Sequence, residues 1–332
     1  MLMQTILITG GGGFIGSNIA AALCARGTHR IIICDTMGLG DKWRNLRKHS
    51  VHEVIPPGNL FYWLEMYGTS LDAIIHMGAI SSTMETNVDL VLENNQTTTT
   101  LLYRWCAENS KRFIYASSAA TYGDGTAGFD DDASPTALNK LHPLNPYGWS
   151  KHLVDRYIAN ALQTGERAPT QWAGLKFFNV YGPNEYHKED MRSVACVKFP
   201  DAKAHKAVRL FKSYRKEYPD GGQKRDFIYV KDCTAIVLWL LDNPKVSGLF
   251  NVGTGHARSF DDLARALFTA LNTPVKIEYF DMPEALRDKY QYFTEARVER
   301  LRKAGYSQPF TSLEDGIRDY VQNYLTKEDP YL

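Results

Sequence analysis

The sequence predicts an α/β fold with a doubly wound, largely parallel sheet and a smaller α/β domain interleaved in its C-terminal third. Three observations carry this. An apolar run at Thr5–Thr9 breaks into Gly10-Gly11-Gly12-Gly13, after which Ile15, Ile19, Ala22 and Leu23 recur at helical spacing. Apolar runs at Ile31–Cys34, Ala73–His76, Arg112–Ser117 and Trp172–Phe178 follow, each separated by a segment long enough for a helix, and that alternation implies a parallel sheet covered on both faces. The 332 residues, 44% hydrophobic and 23% charged, are enough to bury a substantial core without disulfide staples.

The first strand, turn and helix carry Gly10, Gly13 and Gly16 as G-x-x-G-x-x-G. A dinucleotide pyrophosphate needs close approach to backbone N–H groups at a helix N-terminus, where the helix dipole is positive and a Cβ would obstruct contact. The second run ends in Asp35, so the opening stretch has the length and order of a βαβ unit with an acid placed for ribose hydroxyls. This makes the fold Rossmann-type. Asp35 favours NAD, whereas Lys42, Arg44 and Arg47 just beyond it suit the 2′-phosphate of NADP; the residues leave both cofactors open.

Beyond Pro183 the pattern loses regularity, with a charged stretch at Glu185–Arg192 and a polar, basic one at Asp201–Lys224. Alternation at Phe227–Val230, helical spacing in Ala235–Leu241 and a strand at Phe250–Val252 with Gly253 and Gly255 mark returns to the main sheet. The expected division is a dinucleotide-binding domain over 1–180, with returns near 227–256 and 293–303, and a substrate domain from 181–226, 257–292 and 304–332.

Charge and cysteine content exclude several classes. Thirty-eight Lys and Arg against 37 Asp and Glu leave a net charge of +1, no field for nucleic acid or anionic lipid, so a small-molecule partner is expected. The five cysteines are scattered with no Cys-x-x-Cys pair, which points to neither a disulfide framework nor a structural metal site. The longest apolar stretch, Ala235–Leu241, falls far short of the ~20 residues of a membrane helix, and the first fifteen residues lead into a strand rather than a cleavable signal. A soluble, cytoplasmic protein is expected.

Tyr147 and Lys151 lie four apart, on one face of a helix that the spacing predicts over Tyr147–Leu162. A lysine ammonium beside a phenol favours the phenolate and fits the tyrosine for acid/base work, and a serine hydroxyl can orient the substrate oxygen. Ser118, 29 residues upstream at the end of a predicted strand, supplies that hydroxyl on the carboxyl edge of the sheet, where doubly wound folds bind ligands. Tyr-x-x-x-Lys alone recurs by chance; the strand-end serine and the glycine turn give it weight. That helix and another expected over Gln96–Cys106 carry Leu101, Leu102, Trp105, Leu153, Tyr157 and Ile158, apolar positions for self-association or for covering the sheet.

Thr9-Gly10-Gly11-Gly12-Gly13-Phe14-Ile15-Gly16, Tyr115-Ala116-Ser117-Ser118, Tyr147-Gly148-Trp149-Ser150-Lys151 and Arg225-Asp226-Phe227-Ile228-Tyr229-Val230 together resemble the extended short-chain dehydrogenase/reductase superfamily of nucleotide-sugar enzymes, over nearly the whole chain. Ser117-Ser118-Ala119-Ala120-Thr121-Tyr122-Gly123, Phe178-Asn179-Val180-Tyr181-Gly182-Pro183-Asn184-Glu185 with His187-Lys188, and Tyr290-Gln291-Tyr292-Phe293-Thr294 are similar to its ADP-heptose epimerase branch. The resemblance implies inversion at C6″ of an ADP-sugar through transient oxidation. It implies Ser118, Tyr147, Lys151 and Lys188 as catalytic residues, with Tyr147 and Lys188 as two acid/base groups. It further implies a cofactor, usually NADP, enclosed by Gly10, Gly13, Phe14, Ile15, Gly16, Asp35, Thr36, Lys42, Ala79, Ser81 and Asn94 together with Tyr147 and Lys151. Substrate would meet Ser118, Asn179, Lys188, Asp190, Phe211, Lys212, Ser213, Arg225 and Tyr290, with Arg225 pairing the diphosphate. A homo-oligomer, pentameric in relatives, is implied as well.

The chain departs from the branch at Glu189-Asp190, at Val197 where a histidine is common, and at Glu217–Lys224, which looks inserted. Other nucleotide-sugar epimerases, such as a UDP-hexose 4-epimerase, and a non-catalytic dinucleotide sensor are the rival readings. Ala119 and Ala120 after Ser118 leave no acidic pair for a dehydratase to remove water with.

Overall fold

A computed structural model describes residues 3–287 and 290–332. The strands in chain order are β1 (Gln4–Thr9), β2 (His29–Cys34), β3 (Glu53–Ile55), β4 (Ala73–His76), β5 (Arg112–Ser118), β6 (Gln171–Phe177), β7 (Asn179–Tyr181), β8 (Val208–Phe211), β9 (Lys224–Arg225), β10 (Phe227–Tyr229), β11 (Gly248–Val252), β12 (Arg258–Ser259) and β13 (Ile277–Phe280). Seven form one parallel sheet in the order β3-β2-β1-β4-β5-β6-β11. The chain reverses its direction of winding between β1 and β4, and a crevice opens beyond the strand ends at such a point.

Alternation along β1 sorts the core into two layers. Ile6 and Ile8 pack with Ile31, Ile33, Ile75 and Leu175, beneath the helices Phe14–Arg26 and Val230–Asp242. Leu7 points the other way, with Ile32, Ile74, Phe113 and Tyr115, beneath Leu60–Tyr67, Thr98–Glu108 and Pro146–Gln163. Burial on both faces is why these strands read as continuous apolar runs. Leu102 and Ile158 belong to this second layer and cover the sheet, whereas Leu101 is exposed.

The remaining strands pair two by two: β7 with β10 and β8 with β13 in parallel, β9 with β12 antiparallel. The expected return to the main sheet at Phe227–Val230 is therefore made by β11; β10 pairs with β7 outside it. The helices Val194–Lys203, Phe260–Ala270 and Leu313–Tyr320 close a third core with Phe14, Tyr181, Phe227 and Tyr229. Phe14 thus links the glycine turn to the C-terminal elements. No helix among the described residues is long and apolar enough to cross a membrane.

Candidate active site

The glycine turn separates into two functions. Gly10 sits at φ +65°, and a Cβ there would lie 2.4 Å from the Gly78 nitrogen; one on Gly16 would lie 2.2 Å from the Gly10 carbonyl oxygen. These two are required by the protein's own packing. A Cβ on Gly13 would meet only the Gly10 oxygen, at 3.1 Å, so this glycine keeps the cavity side clear. The helix that begins at Phe14 has no side-chain cap, which leaves its first N–H groups free for an anion.

Asp35 ends β2 and spends both oxygens within the protein: one accepts from the Gly12 N–H at 2.8 Å, the other from Lys42 Nζ at 2.6 Å. Of the three basic residues expected near the adenosine ribose, only Lys42 lines the cavity. Arg44 pairs with Asp41 three residues before it, and Arg47 with Asp329, a remote partner that no local pattern announces.

Ser118, Tyr147 and Lys151 meet on the facing side. Asn145 Oδ1 accepts from the Gly148 N–H at 2.8 Å and Pro146 opens the first turn, which sets the start of the Pro146–Gln163 helix. Gly148 lets that turn approach the backbone just after Ser118: a Cβ would lie 2.7 Å from the Ala120 carbonyl oxygen. Burial raises the Tyr147 phenol above its ordinary value, and a hydrogen bond with Ser118 pulls it back. Lys151 is buried with no hydrogen-bond partner for its ammonium. Desolvation draws it down to about 8, against the pull of Asp155 one turn along.

A cavity of about 280 Å³ joins these groups. Gly10, Gly13, Phe14, Ile15, Gly16, Asp35, Lys42, Ala79, Ser81, Ser118, Tyr147, Lys151 and Lys188 all line it. Lys188 arrives from the short helical segment Tyr186–Met191, its ammonium 5.5 Å from the Phe14 ring centroid. Burial lowers its basicity and the Glu185 carboxylate opposes this. The orphaned Lys151 ammonium, the uncapped helix and the clear side of Gly13 fit a dinucleotide laid from the Asp35 end to the Tyr147 end.

Four expected residues lie elsewhere. Thr36, Asn94, Asn179 and Asp190 are exposed and outside the cavity lining. The helix containing Asn94 widens over Leu92–Thr97, and this turns the next residue inward: Asn95 is fully buried, bonding the Ile80 backbone on both sides and Ser150 Oγ at 3.0 Å. Thr36 contributes only its carbonyl, to Lys42.

Phe211, Arg225 and Tyr290 form a second cluster around a cavity of about 140 Å³ lined by Phe211 and Tyr290. The Arg225 guanidinium lies 5.3 Å from the Tyr290 ring centroid and 5.6 Å from that of Phe260. It is buried, and among the described residues it has no carboxylate partner; its one hydrogen bond goes to the Lys224 carbonyl. A buried guanidinium with no carboxylate among the described residues has donors to offer an anion. Lys212 instead pairs with Asp281 at 3.3 Å, and the Ser213 N–H donates to Asp220.

Sequence reasoning quoted His187 within a motif but gave no role to it, to Asn45 or to the Asp155–Lys176 pair. His187 lines the cavity, held neutral by burial near 4, and sits 3.3 Å from Asn45 Nδ2, which also donates to the Gly12 and Asn184 carbonyls. The segment Asp329–Leu332 straps both neighbourhoods. Asp329 pairs with Arg47 and Lys48, Tyr186 Oη donates to the Pro330 carbonyl at 2.8 Å, the Tyr331 ring packs edge-on against Tyr186, and the Leu332 N–H donates to Asn184 Oδ1.

Residues 6–253 match the NAD dependent epimerase/dehydratase family. The chain is 46% identical to the ADP-L-glycero-D-manno-heptose-6-epimerase of Fusobacterium nucleatum, over 98% of this chain and 100% of that one. It is 47% identical to the protein of the same name from Nitratidesulfovibrio vulgaris, over 98% and 99%. A crystal structure of the Helicobacter pylori ADP-L-glycero-D-manno-heptose-6-epimerase superposes with a TM-score of 0.78 at 29% identity, covering 96% of each chain. The sheet order, the glycine turn and this likeness over almost every residue agree: the chain belongs to the NAD dependent epimerase/dehydratase family, in the branch of the ADP-heptose epimerases.

Proposed function

We propose that this chain interconverts ADP-D-glycero-D-manno-heptose and ADP-L-glycero-D-manno-heptose by inverting C6″, with NADP as the resident cofactor. The convergence of Ser118, Tyr147 and Lys151 with a second base, Lys188, on one cavity supports this reading above all. A bound nicotinamide supplies a hydride acceptor that later gives the hydride back. The protein's own work is to move the proton and hold the sugar. Tyr147 takes the C6″ hydroxyl proton as the C–H hydride leaves, Ser118 aligns the same oxygen, and the Lys151 ammonium favours the phenolate. The product of that step is a ketone at C6″. With the other face of the carbonyl presented, Lys188 would give the oxygen its proton, so two acid/base groups serve two orientations.

Arg225 is suited to the substrate diphosphate, since a guanidinium binds phosphate oxygens in pairs. Lys42 is suited to a 2′-phosphate: Asp35 keeps its bond to the Gly12 N–H while the ammonium turns to the new anion. Mass analysis of the cofactor released from purified protein tests NADP against NAD.

The decisive experiment is turnover of ADP-heptose followed by NMR at C6″. Tyr147→Phe is expected to lose at least ~100-fold in kcat, the scale of an acid/base contribution, with cofactor retained. Unchanged turnover, consumption of added NADPH in proportion to product, or inversion only of a UDP-hexose would each overturn the reading. Because the Lys151 ammonium must stay charged and is drawn down to about 8, kcat is expected to fall as pH rises through that region.

A further inference from the structure

The most thoroughly buried charges near the cavity have no part in the steps above. Asp155 and Lys176 are 2.7 Å apart with neither side chain exposed. Asp155 lies one helical turn beyond Lys151, and its carboxylate also accepts from Tyr115 Oη at 3.0 Å and Ser117 Oγ at 2.8 Å. Lys176, on β6, donates a second bond to Thr121 Oγ1 at 2.6 Å; that hydroxyl donates to the Ser118 carbonyl at 2.8 Å. One pair thus reaches both halves of the reacting set. Stability alone is a poor reason for it, because well-packed apolar residues commonly replace a buried ion pair without loss.

We propose that Asp155 and Lys176 are positioning residues for the epimerase reaction: together they set the charge state of Lys151 and the placement of Ser118. This rests on the acid/base role given above to Tyr147 and Lys151.

Several titratable groups lie on the elements around Lys151. Tyr147 and Asp155 lie on its own helix. From β4 comes His76, which burial holds neutral and whose ring bonds Thr9 and Thr99. From β5 comes Tyr115, already bonded to Asp155, and from β6 comes Lys176, behind the same carboxylate. Asp155 is therefore the anion that sustains the unpaired ammonium, and Lys176 moderates it. Removing one or the other must move Lys151 in opposite directions.

The test is the pH profile of kcat in the holoenzyme, together with NMR titration of the Lys151 side chain in cofactor-free, isotope-labelled protein. Asp155→Asn is expected to shift the alkaline limb of kcat and the Lys151 titration down by on the order of one pH unit, the lower end of what a nearby opposite charge imposes. Lys176→Met shifts both up, Asp155→Asn with Lys176→Met brings them back towards the parent, and Asp155→Glu leaves them in place. A brace without this role would lower kcat equally at all pH values with the limb and the titration unmoved; that result, or shifts of the same sign in both single variants, overturns the proposal. If Lys176→Met does not fold, Asp155→Asn against Asp155→Glu decides alone. The titration is independent of substrate, so it separates failure of this inference from failure of the assigned reaction, which would appear as full turnover in Tyr147→Phe.

Discussion

The two walls of the cleft are built by different means. On the sheet side, Gly10, Gly13, Asp35 and Ser118 stand at strand ends or in the turn that follows β1, Gly16 stands in the first turn of the Phe14–Arg26 helix, and Tyr147 and Lys151 stand on one long helix. Their spacing is set by backbone pairing and by glycines with no room for a Cβ. On the other side, Lys188, Phe211, Arg225 and Tyr290 come from a kinked helical segment, two short strands and a loop. Tilted and edge-on ring contacts and a cation–π contact hold this wall. The Ser118, Tyr147 and Lys151 set is thus placed by regular elements, and the Phe211, Arg225 and Tyr290 cluster by side-chain contacts, so on the proposed function exchange of one residue in that cluster is expected to alter recognition more than chemistry.

Three substitutions probe that contrast. Gly16→Ala should have the largest effect, because its Cβ would press on a carbonyl oxygen that cannot move without shifting the turn. Overpacking of ~2–3 kcal/mol corresponds to roughly a hundredfold loss of cofactor affinity, read as cofactor content after purification. Full retention would show that the main-chain wall is more pliant than described. Arg225→Met should act on substrate alone: losing charge-assisted hydrogen bonds worth ~1.5–3 kcal/mol raises KM for the ADP-sugar by about tenfold to a hundredfold, with cofactor content unchanged. A matching fall in cofactor content would erase the distinction between the walls. Tyr331→Ala should be the mildest. It removes the edge contact with Tyr186 and the stacking of Arg44, ~0.5–1.5 kcal/mol beyond area burial, seen as a lower Tm and a few-fold lower kcat. Tyr331→Phe keeps both contacts and is expected to behave as the parent.

The same contrast explains what could be read in the sequence. Ala73–His76 is a strand with the expected bounds, and the glycine turn and the Ser118, Tyr147 and Lys151 set are recognisable by short offsets on regular elements. Where regularity breaks, reading fails. β3 is three residues long with only Ile55 buried, too short for a period to emerge. Asn94 and Asn95 differ by one position, and the widened turn at Leu92–Thr97 decides which of them faces inward. Asp155 and Lys176 are on separate elements, joined only once the sheet has formed, so no spacing rule connects them. Arg225 was legible through its motif, but that it has no carboxylate partner among the described residues is a property of the folded chain.

The strap at Asp329–Leu332 ties together stretches far apart in the chain, since it grips Arg47 and Lys48 and also Tyr186, two residues before the cavity-lining Lys188. A single proteolytic nick after Glu328 is therefore expected to loosen Arg47, Lys48 and Tyr186 in one stroke, although it lies far from all three in the chain.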